Sequence, residues 1–394
     1  MNVPLLDLGP QMRALRGEIL AAVTEVIDST SYILGPRVSA FEDEVAAYCQ
    51  SEFGIGVSSG TDALVMTLMA MEIGAGDRVV TTPYTFFATM GAILRVGAEP
   101  LFVDIEEESF NMDPVALEET LEREAGQGGS VRAIMPVHLF GQCADMDAIT
   151  RVAKRFSIPV IEDAAQAIGA CCPFTDEQGA VTWRKAGSMG LAGCFSFFPS
   201  KNLGGIGDGG LVTTSDSDLD EVLRSCRNHG ASPKYFHPRI GGNFRLDPIQ
   251  AVVLSIKLKH LDDWHGQRRA NSLAYHEAFA AYDLVDNPVR LPKEMFAGTD
   301  GSEEQFHHIY NQFVICVPRR DALKAHLLEH GIGCEIYYPC CLHQQECVRQ
   351  YNDQSFPVAE KAASESLALP IYPDLSGEQI EQVVAAIADF YKST

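Results

Sequence analysis

No apolar run in these 394 residues reaches the roughly 18 that a membrane span requires. The amino-terminal stretch MNVPLLDLGPQMRALRGEIL also lacks the basic start and unbroken apolar core of a signal peptide. Basic residues are scarce: 30 Lys and Arg against 53 Asp and Glu leave a net charge of −23. Binding to a phosphate backbone needs clustered cations, so nucleic acid is not an expected partner. The eleven cysteines are odd in number, scattered and without a CxxC pair, which argues against a disulfide framework and for a reducing, cytoplasmic setting. Cys340-Cys341-Leu342-His343, with Cys347 nearby, fits no common zinc spacing, so no metal is expected. No GxGxxG follows the first strand-like run, which counts against a nicotinamide-dependent oxidoreductase.

What is present is alternation. Gly54–Ser59, Asp77–Thr82, Glu99–Ile105, Arg132–His138 and Ile158–Asp163 are short, Val/Ile-rich and bounded by polar residues, Gly or Pro, and read as strands. Helix-like stretches run between them over Thr61–Ile73, Phe86–Val96, Pro114–Glu124 and Met146–Phe156. Such strand–helix repetition predicts an α/β fold whose mostly parallel sheet is covered on both faces, with ligands met beyond the carboxyl ends of the strands. After Gly242 the texture changes. One long helical stretch from Asp247 runs past Trp264 towards Ala281, and a polar segment (Lys293–Glu304) follows. Then come a strand-like Phe313–Val317, a helix over Arg320–His330, a strand-like Gly333–Tyr338, and helices over Val358–Leu367 and Gly377–Tyr391. The expected division is a large domain over 1–245, with an amino-terminal helical segment, and a smaller α+β domain over 246–394.

Four strand-end features carry chemistry. In Ser196-Phe-Phe-Pro-Ser-Lys201-Asn-Leu-Gly-Gly-Ile-Gly-Asp-Gly-Gly210 a lysine stands between an apolar strand and a glycine-rich turn. It is either a solvated loop lysine or a desolvated amine whose lowered pKa suits Schiff-base chemistry. In Ile158-Pro-Val-Ile-Glu-Asp163-Ala-Ala-Gln166 an acid ends a strand; it could cap a helix, or face a pyridinium nitrogen with small residues admitting a flat ring. Val57-Ser-Ser-Gly60-Thr61 runs from strand into helix, where free N–H groups bind phosphate or a cap suffices. Pro83-Tyr-Thr-Phe86-Phe87 puts an aromatic after the next strand, for the core or for stacking. A phosphate cradle, a ring platform, a nitrogen partner and a reactive amine at the ends of strands in one sheet together describe a pyridoxal phosphate (PLP) site. From Val222 to Leu246, moreover, there is no Asp or Glu, while Arg224, Arg227, Lys234, Arg239 and Arg245 all fall there. This is either an anion-attracting segment or a basic helix end followed by an exposed loop.

These motifs, with Arg227-Asn-His-Gly230, Gly241-Gly-Asn-Phe-Arg-Leu-Asp-Pro-Ile-Gln-Ala251, His307-His-Ile-Tyr310 and Phe356-Pro-Val-Ala-Glu-Lys-Ala-Ala, resemble the DegT-type sugar aminotransferases over essentially the whole chain. The resemblance implies the aspartate-aminotransferase-like fold and PLP as cofactor. It makes Lys201 the lysine that bonds the cofactor and shuttles its proton, and Asp163 the partner of the ring nitrogen. Gln166 would meet the ring's hydroxyl side, Phe86 would stack on the ring, and Gly60, Thr61 and Ser196 would hold the phosphate. Asn228 would reach the phosphate of a neighbouring subunit, which implies a homodimer with shared sites. His308, Lys234 and Arg239 become candidate substrate contacts. The implied reaction is ping-pong: an amino acid, glutamate in most of the family, gives its amino group to a keto sugar on a nucleotide diphosphate. The version KNLGGIGDGG, followed by KYFHPRIGGN, is closer to members that aminate carbon 3 than to those that aminate carbon 4. Two departures stand out: a long stretch from Cys172 to Gly187 that could reshape the substrate entrance, and Cys340-Cys341 in the expected sugar-pocket wall. A PLP-dependent sugar dehydratase and a silent regulatory protein on the same fold are the competing readings. Dehydratases of this superfamily carry histidine where Lys201 stands, and a silent scaffold needs neither Lys201, Asp163 nor the phosphate motif.

Overall fold

The computed structural model describes residues 2–127, 129–176, 179–351 and 353–392. Helices α1 (Gly9–Ser29) and α2 (Pro36–Tyr48) precede an alternating run: β1 (Phe53–Val57), α3 (Gly60–Ala70), β2 (Arg78–Thr81), α4 (Phe87–Arg95), β3 (Glu99–Phe102), α5 (Pro114–Gln127), β4 (Val131–Ile134), α6 (Met146–Phe156) and β5 (Ile161–Asp163). Strands β6 (Cys171–Thr175) and β7 (Val181–Lys185) pair with each other, and β8 (Ala192–Ser196), β9 (Gly210–Thr214) and α7 (Ser217–Arg227) follow. The rest comprises α8 (Pro248–Leu258), α9 (Leu261–Ala281), β10 (Phe313–Cys316), α10 (Arg320–Glu329), α11 (Pro357–Glu365), β11 (Ser366–Leu369) and α12 (Gly377–Lys392).

Two ladders, β3-β2-β4 and β5-β8-β9-β1, meet where Ile134 N–H donates to the Pro159 carbonyl and Asp163 N–H to that of Pro136, both at 2.9 Å. The result is one sheet in the order β3-β2-β4-β5-β8-β9-β1, in which β9 runs against its two neighbours and the other pairings are parallel. Successive strand residues point to opposite faces, and successive residues here enter different apolar clusters. Val79, Ala133 and Val212 pack with α3, α4 and α7, whereas Val80, Ile134 and Leu211 pack with α1, α2, α5, α6 and α8. Burial on both faces is why the strands are continuous apolar runs rather than alternating ones. A second core gathers Tyr275 and Phe279 of α9 with β10, β11, α10 and α12; the Tyr275 and Phe313 rings stack at 4.6 Å.

Four expectations need correction. The helical stretch from Asp247 is two helices, because Lys259 and His260 turn between α8 and α9. Neither Gly nor Pro stands at Leu258–Leu261, so the sequence carries no break signal at the turn itself. Gly333–Tyr338 forms a single bridge at Glu335 instead of a strand, since its later groups bond to side chains of the large sheet unit: the Tyr337 carbonyl accepts from the Tyr84 hydroxyl at 2.6 Å. The helix expected to Leu367 stops at Glu365, and the apolar Ser366–Leu369 pairs as β11 with β10; a four-residue apolar run does not distinguish helix from strand. Finally, the described part of Cys172–Gly187 is largely the β6–β7 pairing, anchored by Trp183 Nε1 donating to the Asp300 carbonyl at 3.0 Å. Packing also bears on the division at 245/246. Ala251, Val253, Leu254, Leu261 and Trp264 share the first core, so we propose a junction within α9, ahead of Tyr275, instead.

One ion cluster fixes β1 against α2 and α7. The buried Glu42 carboxylate accepts from Arg227, from Arg224 Nη1 at 2.9 Å and from the Gly56 N–H at 2.8 Å. Removing one member of a buried pair strands the other charge. Glu42→Ala is therefore expected to cost about 3–5 kcal/mol of stability, measured by denaturant unfolding, and Glu42→Gln clearly less.

Candidate active site

The end of β5 carries two adjacent buried acids whose side chains leave on opposite faces of the sheet. Glu162 accepts from the N–H groups of Gly187 and Met189 at 2.7 Å and of Gly190 at 2.6 Å. It also meets His138 Nε2 at 2.9 Å. His138 Nδ1 accepts from the Ala144 N–H at 3.1 Å, so the ring proton sits on Nε2 and is donated to Glu162. The sequence reading passed over this scaffold, although an acid inside a buried strand is the kind of residue that demands donors. Asp163 faces the other way. Its Oδ2 accepts from the Thr89 hydroxyl at 2.7 Å and its Oδ1 from the Ala165 N–H at 3.2 Å. Burial raises its pKa, and the bonds from Thr89 and Ala165 and the charge of Lys201 partly oppose that rise.

Across the cavity, α3 begins at Gly60. The Ser59 hydroxyl takes the Asp62 N–H at 3.0 Å, while the N–H groups of Gly60 and Thr61 in the same turn have no intrahelical acceptor. Gly60 is required by proximity: a Cβ there would come within 2.6 Å of the Ser196 Cβ. Its absence lets the Ser196 hydroxyl approach the helix start, and the result is a concave set of donors suited to a phosphate. Lys201 follows Ser196 in the β8–β9 loop and is half-buried, its N–H bonded to the Phe198 carbonyl at 2.9 Å. Burial pulls its pKa down to about 8 against the raising pull of Asp163.

These groups line one cavity of about 380 Å3, with Phe86, Gln166, Phe198, Asp208, Gln312 and Tyr338 among its other walls. Phe86 is 58 % exposed although it lies at a strand end beneath a second domain, an arrangement that suits a ring awaiting a stacking partner. Gln166 is locked from both sides: its Oε1 accepts from the Phe140 N–H at 2.7 Å and its Nε2 donates to the Tyr338 hydroxyl at 3.2 Å. Tyr338, absent from the sequence-based candidates, also sets its ring 6.1 Å from that of Phe86. Seven of the expected site residues, Gly60, Thr61, Phe86, Asp163, Gln166, Ser196 and Lys201, thus surround one space.

Four do not. Asn228 is exposed at the end of α7, its Oδ1 accepting from Arg245 Nη1 at 2.7 Å. Lys234 and Arg239 lie on an exposed loop beyond it. His308 is buried, stacked on Tyr310 at 3.9 Å, with Nδ1 accepting from the Tyr310 N–H at 3.0 Å. It lines a separate void of about 10 Å3, and burial pushes its pKa down to about 3. The basic segment proves mostly internal: Arg224 and Arg227 serve Glu42, and Arg245 serves Asn228, which leaves Lys234 and Arg239 as its outward cations. None of the described residues of the 172–187 stretch lines the cavity, so they do not shape its wall. Cys341 is buried in an apolar cluster and Cys340 is half-buried; neither lines the cavity. Among the described residues no His, Cys, Asp and Glu cluster could hold a metal, and no helix is long and apolar enough to cross a membrane.

Residues 13–388 match the model of the DegT/DnrJ/EryC1/StrS aminotransferase family. The chain belongs to that family. It is 41% identical to the UDP-N-acetyl-3-dehydro-alpha-D-glucosamine 3-aminotransferase of Acidithiobacillus ferrooxidans over 98% of this chain and 97% of that protein. It is 44% identical to a pleiotropic regulatory protein of Geobacillus stearothermophilus, over 100% and 99%. Among solved structures, Streptomyces venezuelae DesV in complex with a ketimine intermediate superposes with a TM-score of 0.88 at 38% identity, covering 99% of this chain and 98% of that one. This DegT-family protein is a sugar aminotransferase whose cofactor is PLP.

The cavity fits that cofactor on its own terms. It offers a buried carboxylate for a ring nitrogen, an exposed aromatic face, a helix start that a Cβ at Gly60 would fill, and a partly desolvated amine. When bound, PLP supplies an electrophilic carbon and an electron-accepting ring. The protein's part would be to hold that ring protonated with Asp163, fix its plane with Phe86 and keep the amine of Lys201 beside it. A shift from 10.5 to about 8 raises the uncharged fraction of Lys201 at pH 7 roughly 300-fold. Only an uncharged amine attacks an aldehyde, so with Lys201 as the bonding amine, attachment of PLP to the cofactor-free protein should accelerate with pH and level off just above pH 8. Stopped-flow absorbance across pH checks this, and a rate still climbing near pH 10 would contradict it.

Proposed function

We propose that this aminotransferase moves an amino group from L-glutamate to carbon 3 of a keto sugar carried on a nucleoside diphosphate. The observation that carries the reading is the convergence of Lys201, Asp163, Phe86 and the α3 start on one cavity. The carbon-3 preference rests on the relative that acts on a 3-dehydro sugar and on the run Lys201-Asn-Leu-Gly-Gly-Ile-Gly-Asp-Gly-Gly210.

In this reading Lys201 bonds the cofactor and carries the proton between substrate carbon and cofactor, while Asp163 pairs with the ring nitrogen. Thr89, a donor to Asp163, keeps that carboxylate aimed. Phe86 stacks on the ring, Gln166 meets its hydroxyl side, and Gly60, Thr61 and Ser196 bind the phosphate. Asn228, Lys234 and Arg239 act across a dimer interface, Asn228 on the neighbour's phosphate and the two cations on the substrate's diphosphate. Two observations support the dimer: the loop bearing those cations also exposes Tyr235 (80 %) and Ile240 (85 %), and apolar surface of that kind is expected to be covered by a second copy. His308, stacked away from the cavity, receives no substrate role here. The eleven free cysteines suit the cytoplasmic location we assign.

A regulatory reading is kept alive by the Geobacillus relative's name, and one experiment separates the two. Glutamate added to the PLP-loaded protein should bleach the visible band of the lysine-bound cofactor. A nucleotide-linked 3-keto sugar, but not its 4-keto isomer, should then restore the band. Lys201→Ala should lose at least about 10²–10⁴-fold in turnover. A band indifferent to glutamate would refute glutamate as the donor, and restoration by the 4-keto sugar would overturn the carbon-3 assignment.

A further inference from the structure

The loop that carries Lys201 is gripped from behind by a single helix. Gln250 and Lys257 are seven residues apart on α8 and so share one face two turns apart. Gln250 Oε1 accepts from the Ile206 N–H at 2.9 Å. A Cβ at Gly205 or at Gly207 would come within 2.6 Å of the Gln250 amide, so glycine at both positions is what lets that amide lie against the backbone. Lys257 is buried, and its Nζ donates to the Gly204 carbonyl. Among the described residues no carboxylate pairs with Lys257; besides the Gly204 carbonyl, its ammonium has the Trp264 ring, at 5.8 Å. A third tie comes from within the loop, where Asn202 Nδ2 donates to the Ile309 carbonyl at 3.0 Å.

A buried ammonium without a counter-ion is costly, and an apolar side chain at that position would pack in the surrounding core for less. Its charge has one evident use: a carbonyl three residues from Lys201 receives a charge-assisted bond, stronger than a neutral donor could give. α8 itself packs on α1 and α2, so the grip is anchored in the first core.

We propose that α8 acts as a clasp for the Lys201 loop, with Lys257 and Gln250 as positioning residues that hold the amine of Lys201 at the cavity wall and out of bulk water. The proposal rests on Lys201 being the lysine that bonds PLP. Three quantities are to be measured on the full-length protein bearing Lys257→Met or Gln250→Ala: PLP affinity by equilibrium titration, the pH midpoint of PLP attachment, and the melting temperature. The expected result is about tenfold weaker PLP retention in each variant, the equivalent of one lost buried hydrogen bond. The midpoint should also rise above that of the native protein, because a loosened loop admits water to the amine. Lys257→Arg keeps a charged donor and should restore much of both. If Lys257→Met does not fold, Gln250→Ala, at a half-buried position, decides the matter. Native affinity and midpoint in the variants, even with a lowered melting temperature, would reduce Lys257 and Gln250 to structural roles and overturn the proposal. A failure of the underlying assignment would look different: Lys201→Ala would still yield borohydride-stable attachment of PLP to the chain.

Discussion

The site depends on how two neighbouring carboxylates at the end of β5 are kept charged inside a protein core. Burying an unpaired carboxylate is prohibitively expensive, and here the strand's alternation sends each to a different solution. Glu162 is saturated on one face by three backbone N–H groups and His138, and these bonds tie the Gly187–Gly190 turn to β5. That saturation makes the strand end rigid. Asp163, on the other face, receives the Thr89 hydroxyl and the Ala165 N–H among the described residues, which leaves acceptor capacity for the ring nitrogen proposed to meet it. The first acid fixes the geometry and the second is left incomplete for the ligand.

Rigidity on one side is matched by a roof contributed from the other core. Arg268 Nη1, buried in α9, donates to the carbonyls of Tyr310 and Ile371 at 2.9 Å each, and the Asp104 carboxylate accepts the first N–H groups of α11. The Tyr84 hydroxyl bonds both the Tyr337 carbonyl and Ser366 Oγ. These bonds cross between sequence-distant segments and deliver Tyr338 to Gln166 and Phe86. The roof is therefore polar and specific, in contrast with the apolar packing that builds the sheet. Such an arrangement sets the angle of a ring gripped between Phe86 and its neighbours without sealing the cavity.

Much of this was legible in the sequence, and the parts that were share a property. Gly60, Thr61, Phe86, Asp163, Gln166, Ser196 and Lys201 all lie within a few residues of a strand end, where composition changes abruptly and local chemistry betrays a role. The parts that were not legible depend on contacts far along the chain. Nothing near Tyr338 says that its hydroxyl reaches Gln166, 172 residues away. The turn at Lys259 and His260 is imposed by packing on the first core rather than by a breaking residue. The basic run from Arg224 to Arg245 reads equally as an anion-attracting segment or a basic helix end, because its counter-charge, Glu42, lies 182 residues from Arg224. Charge counted along a sequence does not reveal which cations are already used.

That last point bears on how a chain of net charge −23 handles an anionic cofactor. At physiological ionic strength the field of distant surface acids decays over about 8 Å, so the overall charge slows encounter more than it weakens a bound complex. In the reading proposed above, the cofactor's phosphate is met by donors within contact distance: the α3 start and the Ser196 hydroxyl. Neither of these donors carries a net charge, and Arg224 and Arg227 are bonded to Glu42. With Arg224 and Arg227 committed to fixing β1, the proposed site would meet the phosphate with dipoles, which bind at short range and impose direction. A ring held at a defined tilt between Asp163 and Lys201, as proposed, would be better served by directional donors than by a bare positive charge.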